Sequence, residues 1–252
     1  MVPQGSDVVV VIPTYQECDA ILPLLSALRH ALPEAHLLVV DDNSPDKTGE
    51  RVTEFARADQ HVSLIVRQHK AGIGPAYVEG FTAALQRSPK AILQMDADGS
   101  HDPNEAVRLI SPILEGGADL VIGSRRVHGG STVGWSNTRN LLSMFGSTYA
   151  RILLRLMTSD ATSGYRAWHP ELLLQLMRET LRADGYGFQI EMAWRAQQLG
   201  ARIKDAPITF REREVGSSKM HARIAVEAAL LVLRLAHLMQ LCGQLMVMDV
   251  FK

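Results

Sequence analysis

The chain has 252 residues, 46% of them hydrophobic and 21% charged, enough for one large domain or two small ones. That composition excludes disorder, a collagen-like rod and a disulfide-stapled mini-fold. With 26 Lys and Arg against 27 Asp and Glu, the net charge of −1 gives no bulk electrostatic footprint for a nucleic-acid partner, and none is expected.

Cys18 and Cys242 stand alone, without the spacing of a zinc site or a disulfide framework, which fits a reducing compartment. The residues before Val8 have no basic n-region, and the apolar run after them is short and ends at Pro13, so no secretory signal is read and a cytosolic protein is expected. No internal repeat or low-complexity tract divides the chain.

From the N-terminus the pattern alternates between short apolar runs and longer helical periods. Val8 to Ile12 is a β-branched run suited to a strand buried on both faces, and a helix is predicted from Asp19 to Ala31. Leu37 to Val40 is a second buried strand that ends at Asp41-Asp42-Asn43-Ser44, followed by a polar helix to Ala58. A strand at Val62 to Val66, a glycine-containing turn at Ala71 to Gly74 and a helix from Pro75 to Gln86 come next. Ala91 to Met95 is the fourth strand and ends at Asp96-Ala97-Asp98; a helix from Pro103 to Glu115 and a strand from Leu120 to Gly123 complete the series. The order predicts an α/β fold with a mostly parallel central sheet and helices on both faces.

In such sheets ligands bind beyond the carboxyl ends of the strands, which marks Thr14 to Glu17, Asp41-Asp42, Asp96 to Asp98 and Ser124-Arg125 as site candidates along one edge. The first βα turn, Ile12-Pro13-Thr14-Tyr15-Gln16-Glu17, contains no glycine, and no GxxxxGK[ST] loop occurs, so neither a dinucleotide fold nor an ATPase phosphate loop is indicated. Asp41-Asp42-Asn43-Ser44 reads equally as a turn or helix cap and as a ligand group. Asp96 and Asp98 are more telling, because two carboxylates crowded at a strand end call for a cation or hydrogen-bond donors between them. Oxygen ligands of this kind suit Mg2+ or Mn2+, completed by a substrate's phosphates.

These stretches, together with Val39 to Thr48, Met95 to Pro103, Gly123 to Arg126, Asp160 to Arg166, Gly187 to Met192 and Pro207 to Met220, resemble the family-two glycosyltransferases of GT-A fold. Within that family they resemble the dolichyl- or polyprenyl-phosphate mannosyltransferases, in the family's order and over residues 8 to 220. The resemblance implies that Pro13, Tyr15, Glu17, Val40 and Asp42 surround the nucleoside of GDP-mannose, with Ala97 presenting backbone to the ribose. It implies Asp96 and Asp98 at the sugar diphosphate as ligands of Mg2+ or Mn2+, with Ser100 at a position where relatives often carry Gln. It further implies Arg125, Arg213 and Lys219 at the donor diphosphate and Arg139 at the phosphate of the acceptor lipid, a polyprenyl or dolichyl phosphate. Asp98, Arg125 and Arg139 are thereby the residues expected to act in the chemistry. That chemistry is inverting and needs no protein base, because a prenyl phosphate is already an anionic nucleophile near neutral pH.

Two domains are expected: the transferase over residues 1–222 and a C-terminal apolar or amphipathic helix over 223–252. From Ile224 to Phe251 only Glu227, Arg234 and Asp249 are charged. Glu227, Arg234, His237, Gln240 and Gln244 fall within an arc of about 140°, the pattern of a helix lying on a membrane surface or against a small membrane-protein partner; packing on the protein's own surface is the alternative. The helix from Asn140 to Met157 offers an apolar wall for a prenyl chain or a core element. The protein is therefore expected peripherally at the cytoplasmic face of a membrane. UDP-glucose as donor, and a noncatalytic nucleotide-sugar-binding subunit, are the rival readings.

Overall fold

A computed structural model describes residues 7–178, 185–212 and 227–239. The alternating series folds as β1 (Val8–Thr14), α1 (Cys18–Ala31), β2 (His36–Asp41), α2 (Thr48–Ala58), β3 (Val62–Val66), α3 (Ile73–Leu85) and β4 (Ala91–Gln94). A 3-10 turn (Pro103–Glu105) leads into α4 (Ala106–Leu114) and β5 (Leu120–Ser124), followed by β6 (Ser131–Val133) and α5 (Asn137–Leu154). The last third adds β7 (Arg166–Trp168), α6 (Pro170–Met177), α7 (Gly185–Gln198), β8 (Ile203–Pro207) and β9 (Thr209–Arg211), and a further helix, α8, covers 227–239.

Seven strands form the central sheet in the order β3-β2-β1-β4-β7-β5-β8. All neighbours are parallel except β7, which runs antiparallel between β4 and β5. Because β7 reverses twice, β5 regains the direction of β4, and the carboxyl ends of β1, β2, β4 and β5 share one edge, as the sequence pattern requires. β6 and β9 pair in a separate two-stranded ribbon.

The first strand shows why its unbroken apolar run suits this architecture. Val8, Val10 and Ile12 join one core with α1, α2 and α4, whereas Val9 and Val11 join the other with α3, α6 and α7. Each successive residue points to the opposite face, and both faces are covered. Gly80 lets α3 approach closely, since a Cβ there would lie 2.4 Å from Val11 Cγ1 and 3.0 Å from Val40 Cγ2.

A third, smaller core joins α5 to α8 through Ala150, Leu154, Val232 and Leu235. The described part of the C-terminal tract thus rests one face on the protein itself, while Leu230, Leu233 and Leu238 remain exposed. Among the described residues no helix is long and apolar enough to cross a membrane.

Candidate active site

The turns after β1 and β2 are fastened to each other by side chains. Thr14 Oγ1 donates to Asp41 Oδ1 (2.8 Å), and Asp41 also accepts from the backbone N and the hydroxyl of Ser44. Gln16, in the left-handed region at φ 58°, turns its N–H onto Ser44 Oγ. Asp46 binds the N–H of Cys18 and both the N–H and hydroxyl of Thr48, tying the start of α1 to the start of α2. Burial pushes the Asp46 carboxyl up, but these hydrogen bonds outweigh it and hold it below the usual carboxylate range.

Pro13 and Val40 are buried strand residues in register with each other, so they form the floor of this region rather than its reactive surface. Asp42 pairs with Arg67, which also reaches Glu79 Oε2 at 3.0 Å, and accepts from the N–H of Ala71. Lys70 Nζ lies 3.9 Å from the centroid of the Tyr15 ring. Glu17 precedes α1, and its N–H is held by Thr48 Oγ1. The nucleoside-side candidates are therefore brought together, with the loop from Arg67 to Ala71 closing over them.

At the end of β4, Asp96 Oδ1 accepts from the Tyr77 hydroxyl at 2.7 Å. Burial, followed by the neighbouring Asp96 charge, raises the Tyr77 phenol well above its ordinary value, so it stays a donor. Asp96 Oδ2 faces His101 Nε2 at 3.6 Å, and Gly164 leaves room for it, since a Cβ there would lie 2.8 Å from the same oxygen. Asp98 is buried and accepts from the N–H of Ser100, while Ala97 is buried between the two acids.

Buried polar atoms beside these acids lack hydrogen-bond partners: Ser100 Oγ and both ring nitrogens of His101. Two carboxylates with an adjacent orphaned hydroxyl are a donor set suited to Mg2+ or Mn2+, which bind through one or two carboxylates and take their remaining oxygens from substrate or water. Among the described residues no group of three or more His, Cys, Asp or Glu forms a self-sufficient metal cage.

Arg125 follows β5 and is locked in place. Its Nε and Nη2 donate to the two oxygens of Asp160 (2.7 and 2.6 Å), and Nη2 also donates to Thr162 Oγ1. Burial pushes Asp160 up, but the Arg125 charge and hydrogen bonds prevail and keep it ionised. The loop carrying Asp160 is itself anchored by Arg166, fully buried on β7, which donates to the carbonyls of Ala161, Ser163 and Gln189. Burial brings the Arg166 guanidinium down to about 10, still protonated at neutral pH.

Arg139, in the first turn of α5, pairs with Glu212 Oε1 at 2.6 Å and lies over the Trp135 ring. Phe210 on β9 packs edge-on against both Trp135 and His101, joining the arginine side of the site to the acidic turn. Glu191, in a matching motif, holds Arg195 one helical turn away. Arg213 and Lys219 lie outside the described residues. Tyr77, His101, Trp135 and Phe210 were not singled out by sequence as site residues: Tyr77 and Phe210 lie in stretches that read as helix or strand core, and His101 and Trp135 in polar loops that assign them no role. The one available signal was His101, adjoining the Asp96-Ala97-Asp98 turn.

A parallel α/β sheet with an acidic pair at one strand end and arginines at another is the layout of a nucleotide-sugar transferase. A sequence profile described as "Glycosyl transferase family 2" matches residues 9–176, and the chain belongs to that family. It is 45% identical over 227 residues to the undecaprenyl-phosphate mannosyltransferase of Micrococcus luteus, covering 90% of this chain and 93% of the relative. It is likewise 45% identical over 212 residues to the polyprenol monophosphomannose synthase of Mycolicibacterium smegmatis, covering 84% and 80%.

Among solved structures, glucosyl-3-phosphoglycerate synthase from Mycobacterium tuberculosis with Mn2+, uridine diphosphate and glucosyl-3-phosphoglycerate superposes with a TM-score of 0.69 at 20% identity, over 91% of this chain and 80% of that one. A mannosyltransferase from Pyrobaculum calidifontis with GDP-Man and Mn2+ gives a TM-score of 0.55 at 17% identity, over 92% and 73%. These structures share the fold, and both hold Mn2+.

Proposed function

We propose that this glycosyltransferase moves mannose from GDP-mannose to a polyprenyl or dolichyl phosphate, giving the lipid-linked sugar with inversion at the anomeric carbon. An oxygen of the prenyl phosphate forms the new bond to C1 of mannose as the bond from C1 to the β-phosphate oxygen breaks, and GDP leaves with that electron pair. The acceptor is already an anion, so no side chain has to remove a proton. What remains for the protein is to orient two anionic substrates and to screen the charge that builds on the departing diphosphate.

The observation that carries this reading is the pairing of Asp96 and Asp98 with the orphaned Ser100 hydroxyl at the end of β4, on the same sheet edge as Arg125. Asp96 and Asp98, with Ser100, would hold Mg2+ or Mn2+, which when bound neutralises diphosphate charge. Tyr15, Glu17 and Asp42 take the nucleoside over the floor of Pro13 and Val40, with Ala97 toward the ribose. Arg125, Arg213 and Lys219 serve the diphosphate, and Arg139 serves the acceptor phosphate. The names of the two 45%-identical relatives support mannosyl transfer over the rival glucosyl reading. We place the enzyme peripherally at the cytoplasmic face of a membrane, its transferase domain over 1–222 and the C-terminal segment over 223–252 engaging lipid or a small membrane-protein partner.

The test is transfer of radiolabelled mannose from GDP-mannose into an organic-extractable polyprenyl phosphate, with Mg2+, with Mn2+ and with EDTA. Metal-dependent label that disappears in Asp98→Ala, with melting temperature preserved, is the expected result. Label from UDP-glucose instead would move the reading to the glucosyl rival, and turnover unchanged in Asp98→Ala would sink the metal assignment.

A further inference from the structure

Trp135 stands between β6 and α5, and its ring is the meeting point of two cations. The Arg139 guanidinium lies 4.5 Å from the ring centroid and the Arg125 guanidinium 5.4 Å from it. Each arginine is tied by its own carboxylate, Asp160 for Arg125 and Glu212 for Arg139, on separate segments of the chain. The indole is thus a contact the two guanidinium groups have in common.

The ring itself is fixed from outside. Phe210 meets it edge-on at 5.2 Å and an interplanar angle of 71°, and the Arg125 guanidinium also lies 5.3 Å from the Phe210 centroid. Phe210 is set by strand register, opposite Thr132 in the ribbon and opposite His101 in an isolated bridge. The indole Nε1 is buried without a hydrogen-bond partner, so the ring is oriented by its faces and edges rather than by its N–H.

A guanidinium against an indole is attracted by the ring's quadrupole, so a single ring helps to fix each of the two cations that lie against it. Arg125 is also held by Asp160 and Thr162, whereas the Arg139 guanidinium is placed by Glu212 and the ring, so loss of the ring falls on Arg139. We infer that Trp135 is a positioning residue that holds Arg139, the cation assigned to the acceptor's phosphate monoester, in a fixed place beside Arg125 on the donor side. The inference rests on the acceptor reading of the site and adds to it the group that fixes its cation.

The π face is what distinguishes this role from ordinary packing, so the comparison is between Trp135→Phe, which keeps a π face, and Trp135→Leu, which keeps only apolar bulk. Farnesyl phosphate is titrated calorimetrically into the full chain, and acceptor and donor KM values are measured in the transfer assay. Trp135→Leu is expected to raise the Kd for farnesyl phosphate and the acceptor KM about tenfold. The GDP-mannose KM should stay within about twofold, and Trp135→Phe should stay within about threefold of wild type throughout.

Equal values for the Leu and Phe variants would overturn the inference, as would a donor KM rising in step with the acceptor KM. If Trp135→Leu does not fold, Trp135→Met carries the same comparison. Failure of the wild-type chain to bind or mannosylate any prenyl phosphate would instead bring down the acceptor reading, and this inference with it. Wild-type turnover indifferent to Trp135→Leu would sink the inference alone.

Discussion

Arg125 and Asp160 are almost wholly buried, with side-chain exposures of 5% and 0%, and each neutralises the other. Removing one partner of such a pair strands a charge, so Asp160→Ala should cost about 3–5 kcal/mol in urea unfolding. Arg125→Met with Asp160→Leu should regain most of that stability and remain inactive; recovery of transfer in the double variant would show that Arg125 is only a strut. Gly164→Ala separates geometry from stability at the acidic turn. Its Cβ would press on Asp96 Oδ2 from 2.8 Å, and displacing that carboxylate should cut transfer on the order of tenfold to a hundredfold while the melting temperature moves little. At the far end of β2 the buried His36 imidazole is held down to about 4, by burial first and the nearby Arg87 charge second. The unfolded chain binds its proton near pH 6.5 and the folded chain only near pH 4. This contribution is therefore present above about 6.5 and is lost as pH falls from there toward 4. Melting temperatures should drop between pH 7 and pH 5, with a shallower drop in His36→Gln.

The helix α3 shows how an element serves the site through its closeness to the sheet. Gly80 lets it sit on Val11 and Val40, and one turn away Tyr77 reaches Asp96. Gly80→Ala should cost about 1–3 kcal/mol by overpacking, and Val11→Ala in the same chain should restore part of it; no recovery would mean the strain lies elsewhere. The parallel strands β1 to β5 were legible in the sequence because their short apolar runs are bounded by turns, as in Val8 to Ile12, whereas parallel β8, with Lys204 and Asp205 in its middle, was not. Asp42, Asp96, Asp98 and Arg125 were legible because polar residues directly after such runs fall on one edge. β7 was not, because its three residues begin with an arginine and owe their strand character to pairing with β4 and β5, far away in sequence. The ribbon of β6 and β9 is likewise short, polar at its ends and nonlocal. The helix predicted over Asn140 to Met157 is found over Asn137–Leu154, starting where the Ser136 side chain accepts the N–H of Arg139.

For the molecule as a whole, the balanced net charge conceals a lopsided surface. α5 carries Arg139 and Arg151, ends at Arg155 and has no acidic residue. Its outer side exposes Leu141 and Leu142 (61% each), Phe145 (72%) and Ile152 (67%), with Met157 beyond it at 73%. Large apolar groups gathered beside cations match the boundary of an anionic bilayer, where the apolar groups enter the acyl region and the arginines meet headgroups. On the proposed acceptor reading a prenyl phosphate makes the same demand, its phosphate meeting Arg139 at the start of this helix while its chain stays in lipid. The full chain should therefore cosediment with vesicles containing phosphatidylglycerol, less so with purely zwitterionic vesicles and less at high salt. Each Leu or Phe buried in lipid contributes about 1.5–3 kcal/mol, so Leu141→Ser with Phe145→Ser should weaken vesicle binding by at least about tenfold. GDP-mannose binding, measured without lipid, should be unchanged by that pair. Undiminished cosedimentation of the double variant would remove α5 from the membrane contact and leave the C-terminal segment to make it.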